Sequence, residues 1–174
     1  MGNLKILLYF LLIGIVFAAG CVQRQESDDA MEKTGEMMEK PGESQMMQSE
    51  YSGTVLAGES APLIDFNKAD YDKVLQTDKL IVLYFYADWC PICRVELPHL
   101  YGAFNELTAD DVIGFRVNYN DGSTDDNERN LARQFGVGYQ HGKVFVRNGE
   151  QVLKSPESWT KERYLSEISS ALVK

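Results

Sequence analysis

Apolar and polar positions follow two alternating patterns from about residue 60 to the end of the chain. The runs at 80–87 and 112–117 are almost uninterruptedly apolar, which is typical of strands that are covered on both faces. The segments between such runs carry apolar residues at helical spacing and begin at residues that cap helices. In chain order we predict a strand at 62–66, a helix after Asn67, a strand at 80–87, a helix at 91–107, a strand at 112–117, a helix capped by Ser123 or Thr124 and ended by Gly136, a hairpin of 144–147 and 150–154 that turns at Asn148-Gly149, and a last helix capped by Ser158.

This element order, β-α-β-α-β-α-β-β-α, predicts an α/β domain. Alternating strands and helices favour parallel pairing, whereas a hairpin pairs antiparallel, so we expect a mixed central sheet flanked by helices. The sequence contains no internal repeat, and we expect one domain over 56–174.

The first 21 residues have the pattern of an export signal. Lys5 is followed by fourteen uncharged residues, Ile6–Ala19. That run is shorter than the roughly 20 residues of a membrane-spanning helix and suits the apolar core of a signal peptide. It closes on small residues before Cys21, which resembles a bacterial lipobox whose cysteine is lipidated after cleavage. A lipoprotein signal, an uncleaved anchor and plain secretion all predict a domain outside the cytoplasm, and the first two predict one held at the extracytoplasmic face of the membrane.

Residues 22–55 are predicted to form a disordered, acidic tether between the signal and the domain. The stretch 23–50 has no aromatic residue and only Thr34 as a β-branched one, so it cannot bury enough apolar surface to offset chain entropy. Methionine pairs at 37–38 and 46–47 are candidate soft ligands for Cu(I), but we favour a polar tether that happens to contain methionine. The net charge of −9 argues against a nucleic-acid partner, which needs a basic surface.

The motif that carries chemistry is Cys90-Pro91-Ile92-Cys93, between a buried strand and a helix. Cys90 falls at the helix N-cap and Pro91 at the first helical position, where its missing N–H costs nothing. The N–H groups and the helix dipole there favour a thiolate at Cys90, while Cys93 lies one turn inside and less exposed. Two thiols at this spacing close and open reversibly, so we predict thiol–disulfide exchange.

Three other interpretations of the cysteine pair are open. A structural disulfide that closes so short a loop stabilises a fold little. A zinc site normally needs two such pairs, and the domain has one. A chance spacing is disfavoured by the strand before the pair, the helix after it and the flanking Trp89. If Cys21 is lipidated, Cys90 and Cys93 are the only thiols left.

The stretch 80–98 resembles the thioredoxin superfamily, through Ala87-Asp88-Trp89-Cys90, Cys93 and Pro98 five residues later. The element order extends the resemblance over about 60–174. The segment 93–98 is most similar to membrane-anchored, extracytoplasmic thioredoxin-like proteins of the cytochrome-c-maturation (TlpA-like) type. The resemblance therefore implies a thioredoxin-like fold and a protein thiol:disulfide oxidoreductase.

The same resemblance implies roles for individual residues. Cys90 is expected to be the attacking thiol, Cys93 the resolving thiol and Glu96 a proton-handling group, unless Glu96 is simply an exposed helix acid. No organic cofactor is implied; the implied partners are protein disulfides or dithiols and a membrane protein that exchanges electrons with the pair, and we expect a monomer. The implied substrate-binding surface consists of Trp89, Pro91, Ile92 and Gln140.

Two positions depart from the family pattern. Cytoplasmic thioredoxins carry a buried Asp six residues before the first cysteine; Tyr84 stands there, so proton transfer must use Glu96, water or another group. Counting back from the 147–150 turn places His141 where the family has a cis-proline. A cis bond before a non-proline residue costs about 3–4 kcal/mol, so we expect a trans bond or a different loop there.

His141 is a candidate acid or base beside both sulfurs, where it would promote thiolate formation at Cys90. A water-exposed loop histidine is the plain alternative. A hypothesis of another class is a copper-handling protein, in which Cys90, Cys93 and His141 bind the metal and the methionine pairs collect it.

Overall fold

The computed structural model describes residues 50–173, so the predicted signal, most of the predicted tether and both methionine pairs lie outside the described residues. Six strands and four helices are described. In chain order they are β1 (Val55–Ala57), β2 (Leu63–Asp65), α1 (Lys68–Val74), β3 (Leu80–Tyr86), α2 (Pro91–Glu106), β4 (Val112–Asn118), α3 (Asp126–Gln134), β5 (Lys143–Arg147), β6 (Glu150–Ser155) and α4 (Lys161–Leu172). The predicted order is confirmed, with the short strand β1 added before it.

The strands form one mixed sheet in the order β1-β2-β4-β3-β5-β6. Strand β3 lies between parallel β4 and antiparallel β5, and all its side chains except that of Tyr86 are buried. Alternate residues of β3 enter two apolar clusters, one packed with α2 and α4 and the other with α1 and α3. The predicted α/β fold, a mixed sheet flanked by helices, is therefore confirmed.

Local capping and turn signals were accurate where a single candidate residue was present. The Asn67 side chain accepts hydrogen bonds from the first turn of α1, and Cys90 caps α2. Asn148 and Gly149 both have positive φ, at 52° and 76°, as the tight turn between β5 and β6 requires. Gly136, with φ 58°, follows α3 and ends it.

The predicted caps of the last two helices were wrong. Asp125, not Ser123 or Thr124, caps α3. Its side chain accepts a hydrogen bond from the Glu128 N–H, and the Glu128 side chain accepts one from the Asp125 N–H, which is a reciprocal capping box. Ser123 and Thr124 bond to the Asp121 carboxylate instead. Thr160, not the predicted serine at 158, caps α4.

Residues 51–55 were predicted to belong to the disordered tether, but they contact the domain, and Val55 begins β1. The N–H groups of Ser52 and Gly53 donate to the buried Asp70 carboxylate of α1. Tyr51 packs against the apolar cluster under α1. No helix within residues 50–173 is long and apolar enough to span a membrane.

Candidate functional site

The cysteine pair lies at the carboxyl end of β3, where α2 begins. The Sγ atom of Cys90 accepts a hydrogen bond of 3.1 Å from the N–H of Cys93, as expected of an N-cap side chain. Both cysteines are free thiols and both are completely buried. The expected difference in exposure between them is therefore not observed, because the chain around the pair covers Cys90 as fully as Cys93.

The environment of the Cys93 thiol keeps it protonated. Burial, together with the hydrogen bond to Cys90, raises the pKa of Cys93 to about 11, while a backbone hydrogen bond at Ala87 and the Tyr84 hydroxyl oppose that shift. At neutral pH Cys93 consequently keeps its proton. The hydrogen bond to Sγ of Cys90 stabilises negative charge on that sulfur, so the geometry fits Cys90 as nucleophile and Cys93 as resolving thiol.

Glu96 is a buried carboxylate, one turn after Cys93 on α2, with a relative exposure of 1%. Its Oε1 atom accepts hydrogen bonds from Lys143 Nζ at 2.6 Å, from Trp159 N–H at 2.9 Å and from the Tyr164 hydroxyl at 2.7 Å. These donors come from β5, the loop before α4 and α4 itself. The alternative of an exposed helix acid is thus wrong, and Glu96 lies in the interior beside the cysteine pair.

Lys143 is the charged residue that the sequence analysis missed. It is fully buried, forms an ion pair with Glu96, donates to the Glu157 carbonyl and lies 5.2–6.0 Å from the ring centroids of Trp159, Tyr84 and Tyr164. Burial lowers the pKa of Lys143, against the opposing effect of Glu96. The alternation of side chains along a strand could have predicted its burial, because Lys143 lies on the same face of β5 as the core residue Phe145.

Tyr84 connects the cysteines with the buried ion pair. It stands directly opposite Lys143 in the β3–β5 register. Its hydroxyl donates to Glu96 Oε2 at 3.4 Å and also interacts with the Cys93 thiol. Burial first, and then the charge of Glu96, raise the pKa of Tyr84 well above its ordinary value. The phenol therefore stays protonated between Cys93 and Glu96, at the position where cytoplasmic thioredoxins have an acid.

His141 lies beside the two sulfurs, as the count from the turn indicated. One of its ring nitrogens and the Sγ atoms of Cys90 and Cys93 all lie within 4.8 Å of one another. Its backbone N–H donates to the Phe85 carbonyl at 2.7 Å, and Nδ1 is buried without a hydrogen-bond partner among residues 50–173. Burial lowers the pKa of the imidazole.

The backbone of His141 differs from that of a proline. Its φ is 56°, in the left-handed region, whereas proline is restricted to a φ near −65°. The loop before β5 thus takes a conformation that the family's proline cannot adopt, in agreement with the expectation of a different loop. Hydrogen bonds between Phe85 and both His141 and Gly142 tie this loop to the end of β3.

The predicted substrate-binding residues surround the buried pair at the surface. Trp89 and Ile92 are 50% and 45% exposed, and the indole N–H of Trp89 donates to the Asn120 carbonyl at 3.1 Å. Pro91 is exposed and Gln140 is half-buried next to His141. A shallow, mostly apolar groove starts at Pro91 and Ile92 and runs between α2 and the loop before α4.

Comparison with known proteins agrees with this fold and site. The Thioredoxin family model matches residues 62–170. Thioredoxin H4 from Arabidopsis thaliana is 36% identical over 86 residues, which is 48% of this chain and 64% of the relative. Thioredoxin-T from Drosophila melanogaster is 35% identical over 85 residues, 48% of this chain and 50% of the relative. The chain thus spans about half to just under two thirds of these relatives.

Solved structures give the same result. A crystal structure of Trxlp from Edwardsiella tarda superimposes with a TM-score of 0.50 and 26% identity, over 60% of this chain and 95% of that one. Thioredoxin from Aeropyrum pernix shares the fold with a TM-score of 0.52, at 20% identity, over 68% of this chain and 94% of that one. The predicted superfamily is confirmed, and because its model matches more than half of the sequence, the chain belongs to the thioredoxin family.

Proposed function

We propose that this protein is a thiol:disulfide oxidoreductase in which Cys90 and Cys93 cycle between dithiol and disulfide. The observation that carries the proposal is the pair of free thiols at the start of α2, with Sγ of Cys90 accepting the Cys93 N–H. Homologues in the thioredoxin family are thiol:disulfide oxidoreductases, which supports the same chemistry.

In the reducing direction the reaction has two steps. The Cys90 thiolate attacks one sulfur of a substrate disulfide, forms a mixed disulfide and releases the other substrate sulfur as a thiolate. Cys93 then loses its proton and attacks Sγ of Cys90, which releases the second substrate thiolate and leaves the Cys90–Cys93 disulfide. The substrate gains two electrons, and a partner dithiol must return two electrons to the pair. Oxidation of a substrate dithiol runs through the same steps in reverse.

Proton handling is assigned to the buried residues next to Cys93. The resolving step needs the Cys93 proton to leave a site that is closed to bulk water, since the thiol is completely buried. The Tyr84 hydroxyl lies between this thiol and Glu96 Oε2. Tyr84 and Glu96 thus form a route for the proton, and Lys143 is a positioning residue that holds the Glu96 carboxylate.

The cellular placement that we propose rests on the N-terminal sequence. Three features favour a domain at the extracytoplasmic face of the membrane: the export signal at 1–21, the acidic stretch that follows it, and the resemblance of segment 93–98 to the TlpA-like type. A membrane protein would then supply or remove the electrons. Mass spectrometry of the full chain from a bacterial host tests this: we expect a lipid on Cys21, and release from the membrane fraction in Cys21→Ala. An unmodified N-terminus in the cytoplasmic fraction would contradict the placement.

A redox titration tests the proposed activity and also gives its direction. The full chain, freed of metal and kept anaerobic, is equilibrated with thiol buffers and the fraction of Cys90–Cys93 disulfide is measured. A midpoint near or below about −270 mV makes the protein a reductant, and a midpoint toward about −120 mV makes it an oxidant. A pair that does not cycle with thiol buffers contradicts the proposed function.

A further inference from the structure

We propose that Cys90, Cys93 and His141 form a three-coordinate binding site for a soft monovalent metal ion, Cu(I). The two thiolates and the imidazole come from the N-terminus of α2 and from the loop before β5, two segments that the sheet brings together. The site uses the reduced pair and does not depend on disulfide exchange.

The spacing of the ligand atoms fits a metal ion. The two Sγ atoms and a ring nitrogen of His141 all lie within 4.8 Å of one another. Metal–ligand bonds of about 2.3 Å in a trigonal arrangement separate the ligand atoms by about 4.0 Å. Inward side-chain movements of less than about 1 Å therefore suffice to close the site around an ion.

His141 has a feature that disulfide exchange leaves unexplained. Its Nδ1 atom is buried, and no group among residues 50–173 forms a hydrogen bond with it. A buried polar atom without a hydrogen-bond partner costs free energy, because it has lost its hydrogen bonds to water. Coordination of the ion through Nδ1 would offset that cost.

The ligand set and its surroundings favour Cu(I) over Zn²⁺. Thiolates select soft ions, and zinc in proteins is almost always four-coordinate. Within residues 50–173 no fourth Cys, His, Asp or Glu side chain joins the group. The buried carboxylate of Glu96 already accepts hydrogen bonds from Lys143, Trp159 and Tyr164. Both cysteines are closed to solvent, which leaves little room for a water molecule as the fourth ligand.

The charge of the complex also suits this position. Two thiolates, a neutral imidazole and Cu(I) carry a net charge of −1. The first turn of α2 offers its N–H groups and the positive end of the helix dipole to that charge, as the bond from Cys93 N–H to Cys90 Sγ illustrates. Binding to the dithiol releases two protons and transfers no electrons.

The metal and the disulfide exclude each other, because both need the same two sulfurs. Oxidation of the pair must expel the ion, and a bound ion must hold the pair reduced. Cu(I) would thus slow oxidation of the pair by disulfide reagents, in proportion to the fraction of chains that have Cu(I) bound.

Anaerobic competition with a coloured Cu(I) chelator tests the proposal. The full chain carries Cys21→Ser, so that Cys90 and Cys93 are its only thiols. We expect one Cu(I) per chain, with two sulfurs and one nitrogen bound to the metal by X-ray absorption. His141→Asn, chosen because asparagine tolerates positive φ, should weaken Cu(I) binding at least tenfold and remove the nitrogen. His99→Ala, at an exposed position on α2, is the matched control and should bind like the parent.

Three results would overturn the site. The first is Cu(I) affinity that is equal in His141→Asn and the parent chain, and the second is Zn²⁺ binding that survives an equimolar Cu(I) challenge. The third is Cu(I) that remains bound after Cys90→Ser and Cys93→Ser, which would assign it to methionines instead. The parent chain is also assayed in thiol buffers. Cycling without Cu(I) binding would contradict the metal site alone, and Cu(I) binding without cycling would contradict the proposed activity alone.

Discussion

The Nζ atom of Lys143 lies 2.6 Å from Oε1 of Glu96, and the two side chains are 0% and 1% exposed. This pair joins β5 to α2 directly behind the cysteines. Two further donors, Trp159 N–H and the Tyr164 hydroxyl, converge on the same oxygen. A buried ion pair of this kind is expensive to break from one side, because the remaining charge is left without compensation.

We therefore expect Lys143→Met to destabilise the fold by about 3–5 kcal/mol in urea unfolding. The double variant Lys143→Met/Glu96→Gln should be clearly more stable than Lys143→Met, because the introduced amide is uncharged and its carbonyl oxygen still accepts from Trp159 and Tyr164. Lys161→Met is the matched control: its pair with Glu106 is exposed to solvent and should contribute little to stability. Equal losses for Lys143→Met and Lys161→Met would show that the buried pair contributes little.

The Tyr84 hydroxyl is expected to matter for the second step of exchange. Tyr84→Phe keeps the packing of a fully buried ring but removes the group between Cys93 and Glu96. We expect a stability loss of about 1 kcal/mol and slower attack by Cys93, so that the mixed disulfide on Cys90 accumulates. Acid-quenched samples analysed by mass spectrometry measure that species.

Tyr164→Phe is the control for this experiment. Its hydroxyl also donates to Glu96, but to Oε1 instead of Oε2, so a similar stability loss is expected. The mixed disulfide should not accumulate in that variant. If both variants accumulate it equally, Tyr84 acts only through packing of Glu96 and is not on the proton route.

The two cysteines should behave differently when each is replaced. Cys93→Ser removes the resolving thiol, so a substrate should remain covalently attached to Cys90. Cys90→Ser leaves the Cys93 thiol, whose pKa is raised chiefly by burial, so it is a poor nucleophile at neutral pH. We expect at least a tenfold lower yield of mixed disulfide with Cys90→Ser, measured by non-reducing electrophoresis after reaction with a model disulfide. Equal yields would reverse or remove the assigned roles.

Glu128 should make the free energy of unfolding depend on pH in the mildly acidic range. Burial raises the pKa of this carboxyl, although the N–H groups of Asp125 and Asn118 oppose the shift. Folding then favours the protonated form, so its contribution to stability is present below the unfolded pKa of about 4.3 and is lost as pH rises through the folded pKa. The free energy of unfolding of the natural chain minus that of Glu128→Gln should fall over this window. A difference that stays constant or rises with pH would contradict the shift.

Elements whose signals are local were predictable from the sequence. The apolar run of β3, the Asn67 cap, the turn at Asn148-Gly149 and the start of α2 at Cys90 each depend on residues a few positions apart. Caps with several neighbouring candidates were not, because Asp121 and Glu128 decide which of Ser123, Thr124 and Asp125 caps α3. The three-residue strand β1 was also missed. Three residues are too few to show a strand pattern in the sequence, and it is the pairing with β2 that makes them a strand.

By itself, the sequence determined the family, the fold class and the position of the cysteine pair, since a buried strand, an N-cap cysteine and a second cysteine one helical turn later are neighbours in the chain. It also placed His141 near the pair, by counting from a turn. Only the tertiary structure decided what surrounds the pair. Glu96 meets Lys143 across 47 positions, Trp159 across 63 and Tyr164 across 68. Whether a charged side chain is buried depends on the partner that compensates it, and here that partner comes from a different strand or helix.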